Sequence, residues 1–284
     1  MKNGKWIFVT FAEGESEISA AGERICQQAK QSGLFDLVLN FNDERLREIS
    51  PLYDSMDFRE LRIEKGFGFW VWKPILIQEI MRKYFSLDSE FEGLLYADAG
   101  CEIINNNYAN LQFCKLFDRL KIQGIGFGLS EHPEYKYTKK IIELDLNLSK
   151  DVMSSTQREA GWILIIPNSR VTKLVEDWSY YSIKDGRKYL DEGSHGYDES
   201  TAFIASRHDQ SLFSALTKKY GFIETPMKVY GRYGSILNAS NMIWTARNKT
   251  GVSRIPKISN TSFAGLISYI LRFFMNAETP QSDS

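Results

Sequence analysis

Short apolar runs without helical period alternate along the chain with longer stretches whose apolar residues recur every three or four positions. "KWIFVTF" (5–11) predicts a buried strand. The stretch from Ser16 to Lys30 then sets Ile18, Ala21, Ile25 and Ala29 on one helical face, and Gly33 stops it. "DLVLNF" (36–41) predicts a second strand. Pro74 suits the first turn of a helix with Ile77, Ile80, Met81 and Tyr84 along one side, and "GLLYA" (93–97) is a buried strand ending at Asp98. "IGFGL" (125–129) and "GWILIIP" (161–167) predict two more strands. Val171, Leu174, Val175 and Trp178 mark a further helix, and Asp209 is placed as the cap of another that carries Leu212, Phe213, Leu216 and Tyr220 to Gly221.

This strand–helix rhythm predicts an α/β fold, a single domain with a mixed, mostly parallel sheet flanked by helices. Residues 131–160 and 182–206 are polar and weakly periodic, as functional loops or lids are. No repeat or low-complexity linker divides the chain, so residues 1–240 are assigned to one domain. Residues 241–284 form a basic and apolar tail with a helical appendage.

Composition narrows the function classes. The 284 residues are 43% hydrophobic and 13% aromatic, enough for a large core. Lys+Arg 35 against Asp+Glu 36 leaves a net charge of -1, which argues against a nucleic-acid partner. Three cysteines without CxxC spacing suggest neither a disulfide framework nor a zinc site. With an N-terminus that lacks a signal-like apolar run, they place the protein in the cytoplasm.

Three clusters carry candidate chemistry. "LLYADAGCEI" (94–103) delivers Asp98 to the end of a strand, where open α/β sheets bind ligands. "EKGFGFWVWKP" (64–74) brings Gly66, Gly68, Trp70, Trp72 and Lys73 to a helix start, a spacing that suits a diphosphate clamp. The plainer alternative makes the aromatics core and Lys73 a solvated residue. "ASRHDQSLFSAL" (205–216) crowds Arg207, His208, Asp209 and Gln210 at a helix mouth, fit for general-base chemistry, metal ligation or sugar-hydroxyl recognition.

In their order, "GFGFWVWKP", "LLYADAGCEI", "STQREAGWILI" (155–165) and "RHDQSLFSALTKKYG" (207–221) resemble bacterial GT-A-type glycosyltransferases of surface-polysaccharide and lipopolysaccharide biosynthesis, including O-antigen synthesis. The resemblance implies a nucleotide-sugar donor, most often UDP-linked, bound over the carboxyl ends of the first strands. It places Thr10, Phe11, Gly68, Trp72, Lys73, Asp98, Ala99 and Gly100 at the donor. Gln157, Arg158, Arg207 and His208 would meet the sugar or a glycan or lipid-linked acceptor. Asp98 and Asp209 are the expected catalytic carboxylates, with Glu159 and Asp198 behind Asp209 as bases. Galactose, as pyranose or furanose, fits the resemblance as the transferred sugar.

GT-A enzymes usually hold Mn²⁺ or Mg²⁺ on an Asp-x-Asp motif, but here the sequence is Asp98-Ala99-Gly100, without the second carboxylate. Three solutions stay open. Glu102 could complete the metal set, His208 or Asp209 could do so, or the site could work without metal, with Lys73 neutralising the leaving group. The missing carboxylate also admits a degenerate transferase that binds donor as a scaffold subunit. A sugar nucleotidyltransferase fits less well, since "TFAEGESEIS" puts acids where its Gly-rich basic loop would be. In the tail, "WTARNKTGVSRIPK" (244–257) and "SFAGLISYILRFFM" (262–275) are read as a surface-lying segment on an anionic membrane, or as a helix packed on the domain or a second subunit.

Overall fold

A computed structural model of the chain describes residues 4–86, 88–105, 107–225, 230–232 and 242–254. The main sheet has five strands in the order β2-β1-β3-β6-β5. β1 (Lys5–Phe11) leads through α1 (Ser16–Ser32) to β2 (Leu37–Phe41), and Gly33 closes α1 in a left-handed conformation with φ 66°. Four short helical segments follow: α2 (Asp43–Ile49), α3 (Pro51–Asp54), α4 (Phe58–Ile63) and the turn α5 (Gly66–Phe69). Asn42, Ser50 and Asp57 cap the first three through their side chains. The long helix α6 (Trp72–Tyr84) then leads to β3 (Phe91–Ala97).

Beyond β3 come β4 (Glu102–Ile103), α7 (Asn107–Leu120) and β5 (Ile125–Pro133). A 3-10 turn at Glu134–Lys136, α8 (Lys140–Asp145) and α9 (Lys150–Ser154) fill the stretch read as a loop. β6 (Thr156–Ile165), α10 (Ser169–Arg187) and α11 (Asp209–Lys219) complete the main layer, and residues 188–208 between the last two are irregular. β7 (Tyr230–Arg232) and β8 (Ile243–Thr245) join β4 in a small second sheet ordered β4-β8-β7.

The central stretches of β1, β3 and β6 are largely apolar because both faces of the sheet are buried there. Ile7, Val9 and Phe11 of β1, with Leu94 and Tyr96 of β3 and Ile163 and Ile165 of β6, share a core with α6, α10 and α11. Their neighbours Trp6, Phe8, Leu95, Ala97, Trp162 and Leu164 point the other way, onto α1 and α7. β1 pairs in parallel with both β2 and β3, whereas β6 runs antiparallel to β3 and β5. The architecture is therefore a single α/β domain on a mixed sheet.

The chain leaves β1 toward β2 on one side and later returns to β3 on the other. The carboxyl ends of β1 and β3 thus flank a topological switch point, where open α/β sheets have their ligand crevice. The first described part of the tail, residues 242–254, is built into the body through β8. The apolar stretch 262–275 lies outside the described residues, and among these no helix is long and apolar enough to cross a membrane.

Candidate active site

Asp98 follows the last residue of β3 and opens the turn 98–101, in which Cys101 N–H donates to the Asp98 carbonyl at 2.8 Å. Its own N–H extends the ladder to the Gly161 carbonyl at 2.9 Å. The carboxylate points to the α6 side of the sheet, like Tyr96 two residues earlier, and the Tyr96 hydroxyl donates to Asp98 Oδ1 at 2.5 Å. From the first turn of α6, Lys73 Nζ reaches the same Oδ1 at 3.2 Å, and it reaches Oδ2 of Asp209, the first residue of α11, at 2.7 Å. Its third contact is the Ala160 carbonyl at 3.2 Å. The register of β6 against β5 shifts between Ile163 and Glu159, and this irregularity turns the Ala160 carbonyl toward the lysine.

The side chains of Lys73 and Asp209 are 3% and 5% exposed, whereas that of Asp98 is 37% exposed. Asp98 is thus the member of the triad that is open to solvent. Burial pushes the Asp209 carboxyl up to about 6, with Lys73 opposing and the Asp98 charge adding to the rise. Burial alone would pull the Lys73 ammonium down, but Asp209 and Asp98 more than offset it and leave it raised. Burial, reinforced by the Asp98 charge, raises the Tyr96 phenol well above its ordinary value, which keeps it a donor.

Several sequence expectations change in this setting. Lys73 is neither solvated nor free for a diphosphate, because its buried ammonium sits between the carboxylates of Asp98 and Asp209 and donates to the Ala160 carbonyl. Asp209 is not a helix cap: His208 holds that position with φ 52°, and the aspartate's oxygen is spent on Lys73. Trp72 lies flat on Phe11 with ring centroids 4.0 Å apart, and its indole N–H donates to the Gly66 carbonyl. Thr10 is buried with its hydroxyl on the Ala97 carbonyl. These two strand-end residues are core on the crevice wall.

The glycines of "GFGF" serve the backbone. Residues 66–70 all have φ between 55° and 81°, a left-handed turn that includes Phe67, Phe69 and Trp70. Gly68 fills it tightly, since a Cβ there would overlap Leu61. Phe69 and Trp70 close on the His208 ring at 5.1 and 5.5 Å between centroids.

Gln157 and Arg158 are buried rather than at the cleft edge. Gln157 ties Glu134, Thr138, Ser211, Arg207 and Gln210 together, and Arg158 donates to the Phe222 carbonyl at 2.6 Å. Burial lowers the Arg158 guanidinium to about 10. Arg207 stacks over Tyr137 at 3.8 Å. Glu159 is half-buried beside the β6 irregularity, and Asp198 is exposed on the loop.

The expected metal donors do not assemble. His208 is buried with Nδ1 2.6 Å from the Leu190 carbonyl, and burial lowers its pKa. Glu102 accepts from Asn248 Nδ2 at 2.7 Å, Ser253 Oγ at 2.5 Å and Arg254 N–H at 3.0 Å, and burial notwithstanding these bonds keep its carboxyl low. Among the described residues, no group of three or more His, Cys, Asp or Glu side chains is placed to hold a metal ion. Asp98 alone, with a lysine already on one oxygen, does not fit a hard divalent cation that seeks several oxygens.

Three features of the site escaped the sequence reading. Tyr96 hides in an aliphatic strand, although a tyrosine two residues before a strand-end aspartate shares its face. Arg24 is buried on α1 and donates to the carbonyls of Ala99 at 2.8 Å, Cys101 at 2.9 Å, Asn248 at 3.1 Å and Thr250. Its only signal was a charge inside the apolar run of α1. The third is a set of small residues near these strand ends, with Ala12, Ala21 and Ala99 buried in mutual contact and Gly161 having only Asp98 Oδ2 near its side-chain direction.

No protein-family profile matches the chain, and no curated protein matches its sequence. Among solved structures, mouse xyloside xylosyltransferase 1 in its apo form is similar at 11% identity and a TM-score of 0.49, over 89% of this chain and 100% of that one. The galactosyltransferase LgtC in complex with donor and acceptor sugar analogues aligns at 9% identity and 0.43, over 97% and 98%. A glycosyltransferase involved in glycosylation of the major capsid of PBCV-1 aligns at 8% and 0.42, over 95% and 99%.

Proposed function

We propose that the protein is a glycosyltransferase that moves a sugar from a nucleotide-sugar donor to a saccharide or lipid-linked glycan. The observation that carries this reading is Asp98, a half-exposed carboxylate at the switch point whose direction is fixed by Lys73 and Tyr96. Glycosyl transfer passes through an oxocarbenium-like state as the anomeric C–O bond breaks, and a carboxylate held before the reaction stabilises that charge without reorganising. Beside it, Gly161 leaves open the space a larger side chain would take, with only Asp98 Oδ2 near its side-chain direction. Asp209, enclosed behind Lys73, serves as the counter-ion that holds the lysine against Asp98 rather than as the base.

The sequence resemblance supplies the finer reading of a UDP-linked donor and an acceptor of bacterial surface polysaccharide, and the basic and apolar residues of the tail, with the cysteine usage, add a cytoplasmic enzyme lying on the membrane surface. A thermal-shift panel of nucleotide sugars, followed by assay of the stabilising donor for hydrolysis and for transfer to glycan extracts, tests it. Stabilisation by one donor class together with turnover supports the assignment. A donor that binds without turnover on any acceptor fits a scaffold subunit, and no binding at all removes the reading.

A further inference from the structure

The turn that carries Asp98 is covered by the chain's own returning segment. A side chain at position 100 would point at the backbone of residues 247–248: a Cβ there would lie 3.3 Å from Arg247 Cα and 3.6 Å from Asn248 N. Asn248 N–H donates to the Gly100 carbonyl at 2.8 Å. Arg24 grips turn and strap together through the carbonyls of Ala99, Cys101, Asn248 and Thr250. Glu102, the only other carboxylate of this turn region, is consumed in holding Asn248, Ser253 and Arg254. The space of a second carboxylate is therefore filled by a strap, and the strap is basic.

Arg247 rides on that strap with its Cα against Gly100 and its side chain exposed. It has φ 49°, a left-handed conformation that is unfavourable for a non-glycine residue and persists only where its surroundings impose it. Lys249, two residues on, is also exposed. The nearby cations Lys73 and Arg24 are buried and engaged within the fold, Lys73 between Asp98 and Asp209 and Arg24 on backbone carbonyls of the turn and strap. A diphosphate entering the crevice beside Asp98 needs positive charge, and the donor set for a divalent ion is missing among the described residues.

Building on the proposed function, we infer that Arg247 supplies the charge that holds the diphosphate of the donor, so that nucleoside diphosphates bind this protein without a divalent metal. Arg fits the task because its planar fork donates two hydrogen bonds to one phosphate at a fixed angle.

Titration calorimetry of the full chain with UDP, GDP, ADP and dTDP, in EDTA and in Mn²⁺, decides the matter. The expected result is equal affinity for one diphosphate in both buffers. Arg247→Gln should lower that affinity about tenfold, the size of one lost charge-assisted contact, with the unfolding midpoint and the affinity for the parent nucleoside unchanged. Arg247→Lys should recover part of the loss. Binding that requires Mn²⁺, or an Arg247→Gln variant that binds like the wild type, overturns the inference and leaves the transferase reading intact. A folded wild-type chain that binds none of the four in either buffer removes both.

Discussion

Lys73 on α6 and Asp209 on α11 form an enclosed ion pair, Nζ to Oδ2 2.7 Å, directly behind the carboxylate of Asp98. Breaking such a pair from one side leaves a buried charge without compensation, which typically costs about 3–5 kcal/mol. Lys73→Met should therefore lower unfolding stability by about that amount at pH 7. Lys73→Met with Asp209→Leu should recover most of it while transfer stays lost. A double-mutant cycle in urea measures the coupling, and additive losses would show that the two groups do not depend on each other.

The same enclosure makes the fold pH-sensitive. Asp209 titrates near 6 in the native state, above its ordinary range, with Lys73, Asp98 and Tyr96 facing it. Between about pH 4 and pH 6 the native state holds a proton that the unfolded chain has released, so stability falls as pH rises through that window and is level above it. Asp209→Asn lacks the titrating group. The unfolding midpoint of the wild type, measured against this variant, should drop from pH 4 to pH 6, and a constant difference would contradict the assignment.

Much of this arrangement was legible in the residues. Asp98 could be placed at a strand end because an apolar run followed by an acid and small residues closes a buried strand, whether the acid is a turn residue or a ligand, and the strands near 5–11, 93–97 and 161–165 were set by their hydrophobicity. The helices of residues 43–63 were not legible because they are too short for a period to show, and the glycines at 66 and 68 did not reveal that residues 66–70 form a left-handed turn that defies ordinary backbone preferences. Lys73 was misjudged because sequence carries no signal of two distant carboxylates meeting one ammonium. Gln157 and Arg158 were assigned to the sugar or acceptor by the resemblance, but Glu134, buried beneath them, accounts for the burial of Gln157 and contributes a compensating charge to Arg158. Gly100 looked like a lost metal ligand until the strap above it was seen.

Arg24 should prove structural for the site without touching a ligand. Arg24→Met leaves four carbonyls without their donor and should cost about 3 kcal/mol. The Asn248 amide, bonded to the Gly100 carbonyl, should lose hydrogen-exchange protection by more than the global change explains. Unchanged relative protection at Asn248 would show that the strap holds without the arginine.

Gly100→Asp tests whether the missing carboxylate can be restored. A side chain there meets strap backbone, which cannot swing aside as a flexible side-chain end could. The substitution should destabilise by about 1–3 kcal/mol and weaken nucleoside-diphosphate binding without making it metal-dependent. A stable variant that gains Mn²⁺-dependent binding would show that the space is open.

The central claim is that Asp98 is the carboxylate on which sugar transfer turns. The most direct measurement is turnover of the stabilising nucleotide sugar by Asp98→Ala and wild type, side by side, with donor affinity and unfolding midpoint recorded for both. Loss of a preorganised charge at the reacting centre typically costs about two to three orders of magnitude. The predicted result is a fall of that size in rate in a variant that still folds and still binds donor, whereas wild-type turnover by Asp98→Ala would contradict the assignment.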